Sequence, residues 1–286
     1  MRYAINVPNF GEYADPRTFM RLAVDAERSG WDGFFVWDHI LVDPDWGVPI
    51  ADPWVLLSAA AAVTQTIRLG PMVTPLARRR PWVVARQAST LDHLSGGRVT
   101  LGVGLGTPPE VEFGAFGEEE DARVRAAKLD EALAILVGLW SGEPFEHAGA
   151  HYQLKRMRFT PPPVQRPRIP IWVAGYWPAR APFRRAARWD GAFPISKVTE
   201  ESGALMPLAE LAEITSFLRE ERGAGAAGQV DLVALGSTPA DPREAGEILA
   251  PYAAAGVTWW CESLNGMRAP LAELEERLRA GPPRLP

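Results

Sequence analysis

Apolar positions along the chain alternate between two rhythms. Short uninterrupted runs read as buried strands, and stretches with apolar residues three and four apart read as helices packed on one face. Arg2–Pro8 is a first strand. Asp15 and Pro16 form an N-cap and first-turn pair, and a helix follows to Gly30 with Phe19, Leu22, Ala23 and Ala26 on one side. Gly33–Trp37 is a second strand, Asp52-Pro53 opens a helix over Trp54–Val63, and Ile67–Thr74 is a third strand. A helix over Pro81–Leu94 is broken by Ser95-Gly96-Gly97, and Arg98–Gly104 is the fourth strand. That strand runs out into Gly102, Gly104 and Gly106, where side chains give way to bare backbone. Bare backbone there is either a close-packed turn or a seat for a flat or phosphorylated ligand.

The regularity then lapses. Thr107–Asp121 reads as a loop with an acidic run at Glu118–Asp121, and Leu129, Leu133, Leu136 and Trp140 mark an amphipathic helix. Gly142–Arg168 is an irregular excursion, with a hairpin around His147–Tyr152 and prolines at 161–163. Strands resume at Ile169–Gly175, Gly191–Ile195, Val230–Leu235 and Val257–Cys261. Helices lie between and after them at Ala179–Arg188, along Leu205 to Leu218, at Glu244–Tyr252 and along Leu271 to Leu278. Eight strands alternating with helices argue for parallel pairing. The arithmetic is that of a (β/α)8 barrel with an insertion after strand four. One domain over residues 1–286 is expected, its excursions at about 107–123 and 142–168. An open doubly wound sheet is the alternative.

Composition narrows the function. The chain has 286 residues and a formal charge of −5, which argues against a general affinity for nucleic acid or anionic membranes. Its one cysteine, Cys261, leaves no internal disulfide and suits a reducing cytoplasm. The amino terminus carries no signal-peptide hydrophobic region, and the longest apolar run, near Trp54–Val63, is too short to span a bilayer.

In a barrel the chemistry sits where strands end. The groups there are Asn9 and Phe10, Asp38 and His39, Met72–Pro75, Gly104–Thr107, Gly175-Tyr176-Trp177, Pro194–Lys197, Gly236–Thr238 and Glu262. Of the four histidines only His39 falls at a strand end, so no metal site is expected. His39 can exchange a proton near neutral pH, and Asp38 orients it if the two side chains converge. Arg78-Arg79-Arg80 precedes a helix start, where cations oppose the dipole; the triplet meets an anionic group or is a solvated basic turn. Gly175–Trp177 lies before a helix start and offers backbone N–H groups for a phosphate, with Tyr176 and Trp177 able to flank a ring or pack on the insertion.

Several pieces together resemble one family. They are WDH at 37–39, DPW at 52–54, IRLGPMVTP at 67–75 and TLDHLSGGRVTLGVGLG at 90–106. FGAFG at 113–117, LDEALAILVGLW at 129–140, PPVQRPRIPIWVAG at 162–175 and RRAARWDG at 184–191 complete the set. The chain is similar to the luciferase-like flavin-dependent oxidoreductases over about residues 1–195, and more weakly beyond. The resemblance implies an enzyme whose barrel, often homodimeric, holds a flavin or deazaflavin ring at its carboxyl end. It implies a non-prolyl cis peptide on strand three at Pro71–Met72 or nearby. His39 would meet the ring or substrate. Asp38, Pro71, Met72, Thr74, Leu105, Gly106 and Thr107 would lie at the cofactor, and Gly175, Tyr176 and Trp177 at its phosphate. The function expected from the resemblance is a monooxygenase using reduced FMN and O2 on a small organic substrate; the alternatives are F420, with hydride transfer, and a non-catalytic barrel. A separate flavin or F420 reductase is a candidate partner. One departure stands out: sugar-phosphate dehydrogenases of the F420 branch carry a Glu where this chain has Thr107, with Glu110 further on.

Overall fold

A computed structural model describes residues 1–202, 204–223, 230–266 and 269–285. The chain opens with β1 (Arg2–Val7), α1 (Pro16–Arg28), β2 (Gly33–Val36) and α2 (Pro53–Val63). The third strand comes in two halves, β3 (Arg68–Pro71) and β4 (Thr74–Pro75), followed by α3 (Pro81–Ser95) and β5 (Leu101–Gly104). Then come α4 (Pro109–Glu112), α5 (Ala122–Trp140) and an antiparallel hairpin of β6 (Pro144–Ala148) and β7 (Gln153–Arg158). The remaining elements are β8 (Ile171–Trp177), α6 (Arg180–Ala186), β9 (Gly191–Ser196), α7 (Lys197–Ser202) and α8 (Leu208–Arg222). The chain closes with β10 (Asp231–Gly236), α9 (Pro242–Ala254), β11 (Trp259–Ser263) and α10 (Leu271–Arg279).

The sheet runs β3-β2-β1-β11-β10-β9-β8-β5-β4 with parallel pairing throughout. Its two ends belong to one interrupted strand, and Leu69 also bridges Val99 just before β5. The circle therefore all but closes: this is the barrel, and the open sheet is excluded. Strand alternation separates two cores. Ala4, Phe35, Met72, Trp172, Phe193, Val233, Trp259 and Cys261 fill the interior. Trp172 lies 5.4 Å from Phe35 and 5.2 Å from Trp259 between ring centroids, so aromatic packing plugs the barrel. The neighbouring positions Tyr3, Ile5, Val7, Leu101, Val103, Ile171 and Val173 face outward, under the helices.

Local chemistry sets the element ends. Asp15, Asp52, Asp121 and Asp241 each accept backbone N–H bonds at the starts of α1, α2, α5 and α9. Gly96, with φ at 67°, stops α3 in the left-handed conformation. The predicted fourth strand begins three residues late. Arg98 is instead drawn below the barrel, where its buried guanidinium donates to the carbonyls of Ala61 and Thr64 at the end of α2 and of Ile67 just before β3. The third strand, expected to be continuous, breaks at Met72–Val73, whose peptide bond is cis. The loop expected over Thr107–Asp121 contains one helical turn, α4.

The glycines of β5 serve that break. A Cβ on Gly102 would stand 2.5 Å from the Pro71 carbonyl oxygen, and one on Gly104 would stand 2.7 Å from Val73 Cγ2. Side chains are missing from β5 because the Met72–Val73 segment fills their place, so the close-packed reading of these two glycines holds. Gly102→Ala is expected to lower stability by about 2–3 kcal/mol through overpacking. Gly266→Ala, which meets nothing within 4 Å, is the neutral control. Urea unfolding midpoints check both, and equal midpoints would refute the packing argument.

Candidate active site

The mouth at the carboxyl ends of the strands is lined by inward-facing residues one layer above the aromatic plug. Val73, Ala174 and Leu235 pack on the inner core and stay partly exposed. Trp37, Tyr176 and Ile195 continue the same inward faces and are also partly exposed. Next to Val73 and Ala174 lies Gly104, without a side chain. The floor is thus small and apolar on the β4-β5-β8 side, a surface that suits one face of a flat ring.

His39 stands at the rim, just past β2. Its backbone N–H donates to Asn9 Oδ1 at 3.1 Å, and its carbonyl accepts from Asn9 Nδ2 at 2.8 Å, so Asn9 fixes the loop that carries it. The imidazole packs edge-on to Phe10 and Trp37, with centroids at 5.9 and 5.8 Å. Its Nδ1 lies 2.7 Å from Glu112 Oε1. Glu112 comes from α4 and is 1% exposed. Burial first, and the Arg78 cation second, push the His39 imidazole down to about 4, with Asp38 pulling the other way. The ring is therefore neutral at pH 7. With Nδ1–H donating to the carboxylate, Nε2 carries the lone pair and is the atom left to work as a base.

Asp38 does not orient His39. Its carboxylate is fully buried and is taken up by other partners. Oδ1 accepts from Arg78 Nη2 at 2.7 Å and Arg79 Nη2 at 2.6 Å, while Oδ2 accepts from Thr74 Oγ1 at 2.8 Å and Arg79 Nε at 2.9 Å. Arg78 also pairs through Nη1 with Glu112. The basic triplet is thus neither a solvated turn nor an open anion seat. Arg78 and Arg79 neutralise Asp38 and Glu112, and only Arg80 is exposed, its guanidinium over Trp82. A cleft of about 290 Å3 opens beside this network, between His39, Arg78 and Arg79, the loop residues Ile40 and Ile50, and Pro53 at the start of α2.

The other expected site residues divide by which way they face. Asp38 and Thr74 sit beneath the rim with their polar atoms paired to each other, and Met72 belongs to the barrel core, 3% exposed. Pro71 is buried beneath the break. The cis bond falls at Met72–Val73, one bond beyond Pro71–Met72, and it is Val73 that reaches the mouth. Leu105 and Gly106 lie at the rim, partly exposed, with their carbonyls held by Arg125 Nη1 at 2.7 and 2.8 Å. Thr107 is exposed. Gly175 faces outward, where a Cβ would stand 2.2 Å from Pro182, so it serves the contact of α6 with β8. Trp177 also faces outward. It is 4% exposed and packs against Phe183 and Phe217, not against the insertion and not toward the mouth. Of the three, only Tyr176 directs its side chain inward. Glu112 was missed from sequence, hidden among the exposed acids Glu110 and Glu118–Asp121; its signal was the adjoining Phe113, a large apolar residue that anchors the turn under Arg125. Among the described residues no group of three or more His, Cys, Asp and Glu could hold a metal ion, and no helix is long and apolar enough to cross a membrane.

With this geometry in place, comparison with known proteins gives the family. The description of luciferase-like monooxygenases matches residues 1–213, and the chain belongs to that family of oxidoreductases. An F420-dependent glucose-6-phosphate dehydrogenase of Beutenbergia cavernae is 38% identical over 169 residues, 57% of this chain and 48% of that protein. The chain spans about half the length of the curated relatives it matches. An F420-dependent secondary alcohol dehydrogenase, solved with an F420-acetone adduct, superposes with a TM-score of 0.77 at 17% identity, covering 98% of this chain and 97% of that one. A monooxygenase of Streptomyces bottropensis gives the same TM-score of 0.77 at 21% identity and the same coverage, 98% and 97%. These two likenesses fix the fold.

A group whose folded pKa lies below its unfolded value takes up its proton in the unfolded chain first, so stability falls as pH drops through that interval. For His39 the interval runs from about 6.5 down to about 4. The His39→Gln variant is expected to lose less stability than the parent between pH 6.5 and 4, read from urea melts across that range. Identical slopes would mean that His39 is not held neutral.

Proposed function

We propose that the chain is an oxidoreductase that binds a flavin-type cofactor across the barrel mouth, F420 in the first place, and transfers a hydride to or from a small organic substrate. The observation that carries this is His39 at the rim, its Nδ1 2.7 Å from the buried Glu112 carboxylate, which leaves Nε2 for proton transfer. The residues fit such a cofactor. Val73, Gly104 and Ala174 make a low apolar floor for a ring, and the carbonyls of Leu105 and Gly106 are already held by Arg125. When bound, F420 supplies the hydride acceptor or donor. Proton movement then falls to the protein. In the oxidising direction His39 Nε2 takes the substrate's proton, and Glu112, paired with Nδ1–H, stabilises the imidazolium so formed. Arg78 keeps Glu112 in place, and Phe10 and Trp37 shield the proton site from water. The F420-dependent dehydrogenase relative, 38% identical over the part of the chain it shares, supports F420 over FMN.

A reduced-FMN monooxygenase is the second reading, supported by the family's own description and by the monooxygenase among the structural neighbours. In it His39 steers protons and the hairpin excursion shields the site. A separate cofactor reductase belongs to that reading. A homodimer belongs to both, supported by the exposed Val55 and Val63 on α2 and Val83 and Leu94 on α3.

Titration with FMN and with F420, followed by absorbance, separates the readings. Tight F420 binding without FMN binding is expected; the reverse selects the monooxygenase, and neither would leave a non-catalytic barrel. With the bound cofactor identified, His39→Ala is expected to lower kcat by about 10²–10⁴-fold while leaving cofactor affinity within a few-fold. Glu112→Gln is expected to lower it by about 10-fold, the scale of a lost orienting partner. Unchanged turnover in His39→Ala removes the proton role.

A further inference from the structure

The mouth is apolar on one side and polar on the other. On β1 the residues Ile5 and Val7 face outward and Ala4 faces the interior, so Asn6 also faces inward, in the layer above Ala4. Asn6 pairs in register with Phe35 on β2 and with Ser263 on β11. It is 1% exposed, yet its Oδ1 has no hydrogen-bond partner. A buried amide oxygen left unpaired is destabilising, so buried acceptors nearly always have a donor. The residues around it are uncharged hydrogen-bond formers. Asn265 Nδ2 donates to Ser263 Oγ at 3.1 Å, and Ser237 Oγ donates to the Ser263 carbonyl at 3.2 Å. The described tips of β10, β11 and β1, residues 236–239, 263–266 and 6–10, carry no lysine or arginine. This polar side lies across the barrel from the floor of Val73, Gly104 and Ala174, with His39 beside it just past β2.

We propose that Asn6 positions the substrate: its carboxamide oxygen accepts a hydrogen bond from a hydroxyl or amide N–H, which selects a neutral polar substrate over a carboxylate or phosphate. The inference rests on the oxidoreductase reading above, because it assigns the apolar floor to the cofactor ring and the β10-β11-β1 side to the substrate. An anion gains less at this side than a neutral donor does. A carboxylate has no proton to give Asn6, and no described cation waits to neutralise it.

The test uses three probes that share one ring: cyclohexanol, cyclohexanecarboxamide and cyclohexanecarboxylate. Each is titrated against the full chain carrying whichever cofactor it binds, and affinity is read from the change in the cofactor's absorbance or fluorescence. Cyclohexanol and the carboxamide are expected to bind the parent at least 10-fold more tightly than the carboxylate. Asn6→Leu is expected to erase that preference, and Asn6→Ser, which keeps a small acceptor, to retain part of it. Cofactor affinity should stay within about twofold in both variants, a split that a merely structural asparagine would not produce. The proposal is overturned if the carboxylate binds the parent as well as the neutral probes do. It is equally overturned if Asn6→Leu and Asn6→Ser keep the full preference, or if neither neutral probe binds the cofactor-loaded parent. Failure of both FMN and F420 to bind the parent sinks the oxidoreductase reading itself, and that result is read in the cofactor titration before any probe is added.

Discussion

A carboxylate sealed from water needs a cation, and Asp38 obtains two. Its demand bends the Arg78–Arg79 turn inward from the far end of the third strand, against the ordinary tendency of arginines to lie in solvent. The consequences run outward from that contact. Arg78, committed to Asp38 on one side, turns its other nitrogen to Glu112 and so brings the loop after β5 over the rim. Glu112 then fixes which nitrogen of His39 bears the proton. Three strand ends far apart in sequence are locked together by one chain of charges that ends at the imidazole.

A second constraint shapes the floor. The third strand is interrupted where the other strands run on, and Met72 and Val73 swell into the space that the neighbouring strand would ordinarily fill. β5 yields by having no side chains at Gly102 and Gly104. The outcome is a shallow surface between β4 and β8 above a barrel packed solid with Trp172, Trp259 and Phe35. A bound molecule can rest on this interior but cannot enter it.

The barrel was legible from sequence because each of its strands is a buried apolar run bounded by a cap or a glycine, and these signals are local. His39 was legible for the same reason, as a titratable group at a strand end. What was not legible depends on phase and on distance. A period of two tells that Gly175 and Trp177 share a face, but not which face; that is decided by Trp172, whose indole belongs to the interior plug. The partner of Arg78 lies 40 residues earlier, and nothing near the triplet announces it. Glu112 resembles its acidic neighbours in composition and differs only in being rolled inward by a single turn of helix. The glycines of β5 were visible as bare backbone, while the segment that occupies the space beside them belongs to another strand.

The network at the rim has one more effect. The buried carboxylates of Asp38 and Glu112 are balanced by Arg78 and Arg79, so this inner part of the network carries little net charge. A cluster without net charge projects little field beyond the Debye length. Discrimination at these side chains therefore depends on direct contact more than on long-range attraction.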